Sequence, residues 1–160
     1  MHERAAEFAA LASERYGVDV DVHEFPEGTK TAADAAEAVG CDVAQIASSI
    51  AMDADGELVV VITSGANRVS EAKLAAVHGV ASVSMADATT IKETLGWAIG
   101  GVPPFCHASS VPVYMDETLT DHDTVWAAAG TPEAVFPIPP GRVEELSGAT
   151  VVDVAEYSRH

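Results

Sequence analysis

One run constrains the fold more than any other. Leu58–Val59–Val60–Val61–Ile62–Thr63 is apolar at consecutive positions, not alternate ones. A strand presents successive side chains to opposite faces, so a run apolar on both faces must be covered on both. The chain therefore has to build a sheet with this strand at its centre and packing layers on either side. Asp53–Ala54–Asp55–Gly56 reads as the turn before the strand, and Ser64–Gly65 ends it.

The remaining elements follow from periodicity and punctuation. His2–Tyr16 carries Ala5, Phe8, Leu11, Ala12 and Tyr16 near helical spacing, and Gly17 ends it. Val18, Val20 and Val22 alternate with Asp19, Asp21 and His23, which predicts a half-buried strand with His23 on its polar face. Thr31-x-x-Asp34 is a capping box opening a helix over Ala32–Val39, which Gly40 closes. Asp42-x-x-Gln45 reads as a second cap. It predicts a helix through Ser49 with Val43, Ile46, Ala47 and Ile50 facing inward. Ala35, Ala36 and Ala47 would let the two helices approach closely. Ser70 caps a helix to His78, and Asp87 caps one through Leu95 that Gly96 stops. Val80–Met85, Val111–Met115, Val125–Ala129, Ala134–Ile138 and Ala149–Val154 read as strands, with a turn over Asp116–Leu119 and a short helix over Gly141–Leu146. Helices and strands mix without strict alternation, and there is no repeat or linker. The expectation is an α+β fold, a single domain over residues 1–160 built around a mixed sheet.

With 160 residues, 48% of them hydrophobic, the chain can bury a substantial core. No apolar run has the length of a membrane span, and Met1–Phe8 carries charges without a long apolar segment. This predicts no membrane partner, no signal peptide and a cytoplasmic location. Cys41 and Cys106 are far apart and form no CxxC, so free thiols are expected. Net charge is −17, with 25 acidic residues against 8 basic, and the only lysines are Lys30, Lys73 and Lys92. Scattered acids on a core-forming chain predict a solvated acidic shell suited to very high salt. The absence of a basic patch argues against DNA binding.

Candidate chemistry centres on Gly100–Gly101–Val102–Pro103–Pro104–Phe105–Cys106–His107. Gly101 can turn sharply and leave N–H groups facing outward, while Pro103 and Pro104 fix the turn. Exposed amides held in place can bind a carbonyl oxygen or an oxyanion. Cys106–His107 has the residue types of a nucleophile and base, but sequence neighbours point different ways, so a packed cysteine is expected. Asp121–His122–Asp123 has metal-ligand types with no second cluster to complete a site, so no metal is expected. Trp97, just before the loop, either lines a pocket or anchors the core. Ser64–Gly65–Ala66–Asn67–Arg68 follows the central strand, a common position for a ligand loop.

Four blocks occur in order: Thr31–Ala32–Ala33–Asp34–Ala35–Ala36, Gln45–Ile46–Ala47–Ser48–Ser49–Ile50, Ser64–Gly65–Ala66–Asn67–Arg68–Val69 and Gly100–Gly101–Val102–Pro103–Pro104–Phe105. Together they resemble the YbaK/ProX family of trans-editing aminoacyl-tRNA deacylases, related to the editing domain of bacterial prolyl-tRNA synthetases. The resemblance implies a barrel-like sheet core surrounded by helices. It also implies hydrolysis of the ester joining a wrong amino acid to the 3′ end of a tRNA, without metal or cofactor. The partner would be a mischarged aminoacyl-tRNA, with an aminoacyl-tRNA synthetase as a further one. On this pattern Gly101, Pro104 and Ser48 form the catalytic centre. Lys30, Thr31, Ser49, Ser64, Gly65, Gly100, Val102, Pro103 and Phe105 contact substrate. One position departs from the pattern: Ser48 stands where family members usually carry a lysine that places the terminal phosphate or ribose. Lys30 is the nearby candidate to replace it. The alternative reading is a non-catalytic module that binds amino acid or tRNA in the retained pocket.

Overall fold

The computed structural model describes residues 3–25 and 31–156. The elements are α1 (Glu3–Tyr16), β1 (His23–Glu24), α2 (Ala32–Val39), β2 (Ile46–Ala54), β3 (Glu57–Ser64), β4 (Arg68–Val69), α3 (Glu71–His78), β5 (Val83–Met85), α4 (Ala88–Leu95), β6 (Val113–Asp116), β7 (Val125–Ala128), β8 (Ala134–Ile138), α5 (Pro140–Ser147), β9 (Thr150–Val152) and β10 (Ala155–Glu156). Short 3₁₀ turns occupy Val43–Gln45 and Glu117–Asp121. The main sheet runs β1-β8-β7-β2-β3-β6-β9, with β5 also on β2, and β10 pairs β4 separately.

The apolar run sits where its composition demands. β3 is antiparallel to β2 and parallel to β6, and residues 59–62 are fully buried. Its two faces feed two separate cores. Val60 and Ile62 pack with residues of β2, β6, β7 and β8 and with Phe8 of α1, while Val59 and Val61 pack with Leu74 of α3 and Met52. One face of five strands thus encloses a single core, plugged by α1. This is an α+β single-domain fold on a mixed sheet.

The caps work as the sequence indicates. Thr31 and Asp34 form the reciprocal capping box of α2, Ser70 accepts from the Lys73 amide, and Asp87 accepts from the Thr90 amide. The hairpin between β2 and β3 turns through Asp55 and Gly56, with φ of 54° and 96°. Two positive φ values in succession are what a two-residue hairpin of the right twist requires.

The second helix is the main correction. Its box forms: Asp42 accepts from Ala44 N, and Gln45 Oε1 accepts from Asp42 N. It nevertheless caps only the 3₁₀ turn, and from Ile46 the chain is strand. The reason is tertiary. Residues 47–54 find a complete antiparallel ladder on β3, from Ala47↔Ser64 to Ala54↔Glu57, and a ladder of that length outweighs one local cap. Ala35 and Ala36 therefore pack on Ile46 of a strand, not on a helix. Smaller differences share this cause, since only residues with a partner strand become ladder. Val18–Val22 is not a strand, although Val20 and Val22 still pack on the core, and pairing begins at His23. The segment from Val80 pairs only at Val83–Met85, and Ala149–Val154 yields β9 alone, with β10 starting after it.

Candidate active site

A gap in the ladder creates the cleft. On the edge away from β3, β2 pairs with β7 at Ile46–Ala47 and with β5 at Met52–Ala54. Ser48–Ile50 between them has no strand on that edge. A cleft of about 240 Å³ opens there. Its floor is residues 46–51, one wall is Thr31, Ala32 and Ala35 of the α2 start, and another is Trp126, Ala128, Ala134 and Val135 of β7 and β8. Ile99, Gly100, Val102 and Pro132 close it from the loop side. None of the described lining residues carries a charge.

Of the residues named from sequence, the cleft brings together Thr31, Ser48, Ser49, Gly100 and Val102. Pairing sorts the two serines. Ser48 lies opposite Thr63 and Ser49 opposite Ile62, so Ser49 shares the face of Ala47 and Ala51 and looks into the main core. Its hydroxyl is buried and has no hydrogen-bond partner. Lys30 lies outside the described residues.

Ser64, Gly65, Gly101, Pro103, Pro104 and Phe105 do not line the cleft, and Ser64 and Gly65 brace it from behind. Ser64 Oγ donates to the Ala44 carbonyl at 2.8 Å, and the Gly65 amide donates to the Ile46 carbonyl at 2.7 Å. A Cβ on Gly65 would come within 2.6 Å of the Val43 carbonyl oxygen and 2.8 Å of Ala32 Cβ. That glycine lets the cleft wall approach the end of β3.

The glycine-proline loop differs from its expected form. Residues 101–106 are buried, so the loop does not face outward. The positive φ belongs to Gly100, at 88°, not to Gly101. The Gly101 amide is not free, because it donates to the Ala98 carbonyl at 3.0 Å. Gly101 is small for another reason: a Cβ there would lie 2.7 Å from Thr131 Cα. Prolines at 103 and 104 carry no N–H. Among the described residues, the Gly100 and Val102 amides make no hydrogen bond to protein, and both residues line the cleft.

Beyond Pro104 the loop leaves the cleft. Phe105 stacks among Phe8, Tyr16 and Phe136 with ring centroids 5.5–5.9 Å away. Cys106 and His107 line a separate hollow with Arg15. Burial pushes the Cys106 thiol up to about 11, against a smaller opposing pull from Arg15. His107 Nε2 donates to the Pro103 carbonyl at 2.8 Å, and burial holds the imidazole below its usual range. The pair therefore lies outside the cleft as an inert thiol and a brace for the loop. Trp97 is a core anchor. It is 2% exposed, donates Nε1–H to the Cys106 carbonyl at 2.9 Å and carries the Arg4 guanidinium over its ring. Among the described residues no group of acids, histidines or cysteines, Asp121–His122–Asp123 included, is placed to hold a metal.

Asp116 escaped the sequence reading, which placed it in a turn. It is fully buried, and its carboxylate accepts from the Ser64 and Thr118 amides, the Thr63 and Thr118 hydroxyls and Asn67 Nδ2. This one side chain ties the end of β3 and the Ser64–Asn67 loop to β6. An acid after a strand with threonine two residues on was the available signal.

The model of the aminoacyl-tRNA editing domain matches residues 26–146. The chain belongs to that family. The chain is 30% identical over 138 residues to the uncharacterized protein YwhH of Bacillus subtilis, covering 85% of this chain and 87% of that one. Proline-tRNA ligase of Lysinibacillus sphaericus matches at 33% identity over 76 residues, 48% of this chain and only 13% of the ligase. A solved protein proposed as a trans-editing enzyme for prolyl tRNA synthetase superposes with a TM-score of 0.93 at 35% identity, over 98% of this chain and 99% of that one. These likenesses place the chain in the YbaK/ProX-like group. No helix among the described residues is long and apolar enough to cross a membrane.

Proposed function

We propose that the protein hydrolyses the ester linking a wrongly attached amino acid to the 3′ end of a tRNA, acting in trans in the cytoplasm on tRNA charged by a synthetase. The observation that carries this reading is the uncharged cleft at the β2 gap, closed by a loop with two unbonded amides, in a chain of the editing family. The aminoacyl group enters the cleft with its carbonyl oxygen toward Gly100 and Val102, whose amides stabilise the oxyanion as water attacks. Gly101 and Pro104 shape and hold that loop from behind. An ester is already activated, so position and oxyanion stabilisation suffice without a strong side-chain base.

The tRNA end leaves over Ile50 and Met85, residues shared with a neighbouring groove that carries Thr63, Asn67 and Arg68, with Glu71 and Glu156 also on its lining. Ser48, on the Thr63 face, donates its hydroxyl to the terminal ribose where a family lysine would place a charge. The second reading, a binding module without turnover, draws on the same residue, because no cation among the described residues lines the cleft. A panel of mischarged tRNAs tests both. Wild type is expected to deacylate at least one of them. Ser48→Ala should lower the rate about tenfold, and Ser48→Lys should restore it mainly in dilute salt, where a phosphate contact is least screened. No turnover on any tRNA by all three proteins would leave the binding module.

A further inference from the structure

The buried hydroxyl of Ser49 has no use in the fold itself. It sits between Ala47 and Ala51 on a face otherwise packed with methyl groups. Serines commonly satisfy themselves on nearby backbone, but Ser49 Oγ bonds to nothing. Ser49 is itself one of the residues that line the cleft. Ala47, Ala51, Ile91, Val102 and Ala134 line the cleft and also belong to the main core, so the cleft runs inward on the Ser49 face. A buried polar group without a partner is costly, and a ligand group that completes it is favoured by that amount.

Resting on the deacylase reading of this cleft, we propose that Ser49 selects the amino acid, favouring a small side chain that carries a hydroxyl over one that ends in a methyl. The chemistry of the other candidate groups points the same way. The substrate's α-ammonium is a cation, and no carboxylate among the described residues lines the cleft to receive it. It stays at the mouth, near the unpaired edge of β2. Phosphate and ribose are too polar for an inner end walled by alanine, isoleucine and valine. The amino-acid side chain is what enters, and a cleft of about 240 Å³ accepts a few heavy atoms there. A seryl hydroxyl can donate to Ser49 Oγ or accept from it, whereas an alanyl methyl leaves it orphaned. Discrimination of this kind is stronger than that gained from fit alone, because the wrong substrate strands a buried polar group.

The experiment uses stable analogues, 3′-seryl- and 3′-alanyl-adenosine with the ester replaced by an amide, and measures their binding alongside deacylation of Ser-tRNA and Ala-tRNA. Wild type should bind the seryl analogue about tenfold more tightly, the worth of one net hydrogen bond. Ser49→Ala should bring the two affinities together while melting no lower than wild type, since it removes an unsatisfied group. Equal affinities in wild type, a preference that survives in Ser49→Ala, or failure of both analogues to bind would overturn the proposal. A seryl preference that Ser49→Ala abolishes, with no tRNA deacylated, would uphold the selectivity and reject the deacylase reading. Deacylation with an unaltered preference in Ser49→Ala would do the reverse.

Discussion

Gly101 and Cys106 show how residues of one loop divide between approach and packing. Gly101 has no room for a side chain, with the Thr131 backbone 2.7 Å from where a Cβ would sit. Backbone cannot step aside as a flexible side chain can. Gly101→Ala should therefore cost about 1–3 kcal/mol of stability, the range for overpacking, and should also lower turnover by displacing Val102. A melt and a deacylation rate on the same sample check it, and unchanged values for both would show that the contact yields freely. Cys106 is buried and outside the cleft. Cys106→Ala should keep deacylation within about twofold, since removing a packed thiol alters packing but not chemistry. Its raised pKa carries a pH sign. The folded state disfavours the thiolate, so this contribution to stability is complete below the ordinary thiol value of 9.0 and is lost as pH rises toward about 11. Wild type should lose stability over that window by more than Cys106→Ala does, as paired melts at pH 8 and pH 10.5 would record. Equal losses would mean the thiol is solvated.

At the scale of elements, what the sequence disclosed depended on whether the deciding force was local. Caps at Thr31, Ser70 and Asp87 and glycine stops at Gly40 and Gly96 act within a few residues, and each lies where the sequence puts it. The β3 run was legible because its covering layers are demanded by its own composition. β2 was not, because its state is decided by β3, a hairpin away, while its local cap argues for helix. That error also hid which way the two serines of the candidate site face. Two adjacent serines at a helix end would lie about 100° apart around one axis, whereas in a strand they face opposite sides, one toward Thr63 and one into the core. Asp116 was hidden for the same reason, since Thr63, Ser64 and Asn67, which bond it besides the nearby Thr118, come from elements far away in sequence. Replacing it with alanine takes the acceptor from the buried Thr63 hydroxyl and Ser64 amide and from the half-buried Thr118 amide, while Asn67 Nδ2 keeps Thr118 Oγ1. We expect Asp116→Ala to lose about 3 kcal/mol or more, with one to three for each stranded group setting the scale. Asp116→Asn, which keeps one acceptor oxygen, should lose less. Urea denaturation of the three proteins orders them, and an alanine variant as stable as wild type would show the network to be replaceable by water.

For the whole molecule, the decisive quantity is the net charge of −17, from 25 acidic residues against only 8 basic ones. Several of those cations are committed to holding the fold together. Arg4 contacts Glu7, the Gly96 carbonyl and the Trp97 ring, fixing α1 to the core. Lys73 donates to Asp153 and to the Ala155 carbonyl, holding the C-terminal segment on α3. Arg15 donates to the His107 carbonyl. The exposed acids are left to repel one another. At ~0.01 M salt the screening length is ~30 Å, so nearly the whole surface interacts; at ~1 M it is ~3 Å and the repulsion is confined to neighbours. Molar KCl should therefore raise the melting temperature over dilute buffer. A gain of about 2–3 kcal/mol would register as roughly 5–10 °C for a chain of this length. Chloride is the salt to use, because sulfate would strengthen apolar burial by itself. The same charge governs the encounter with tRNA. An ordinary basic protein loses affinity for a polyanion as salt rises, through lost counterion release. A polyanionic protein starts from mutual repulsion, so screening should raise its deacylation rate between dilute and molar KCl until hydrogen bonds and shape alone set the affinity. Melting curves and kcat/KM measured over the same salt series read both effects. If stability climbs while kcat/KM falls, a direct phosphate contact such as one to Arg68, which stands beside Glu71 and Glu156, outweighs the global charge; if stability is flat or falls, the acidic surface is not an adaptation to salt.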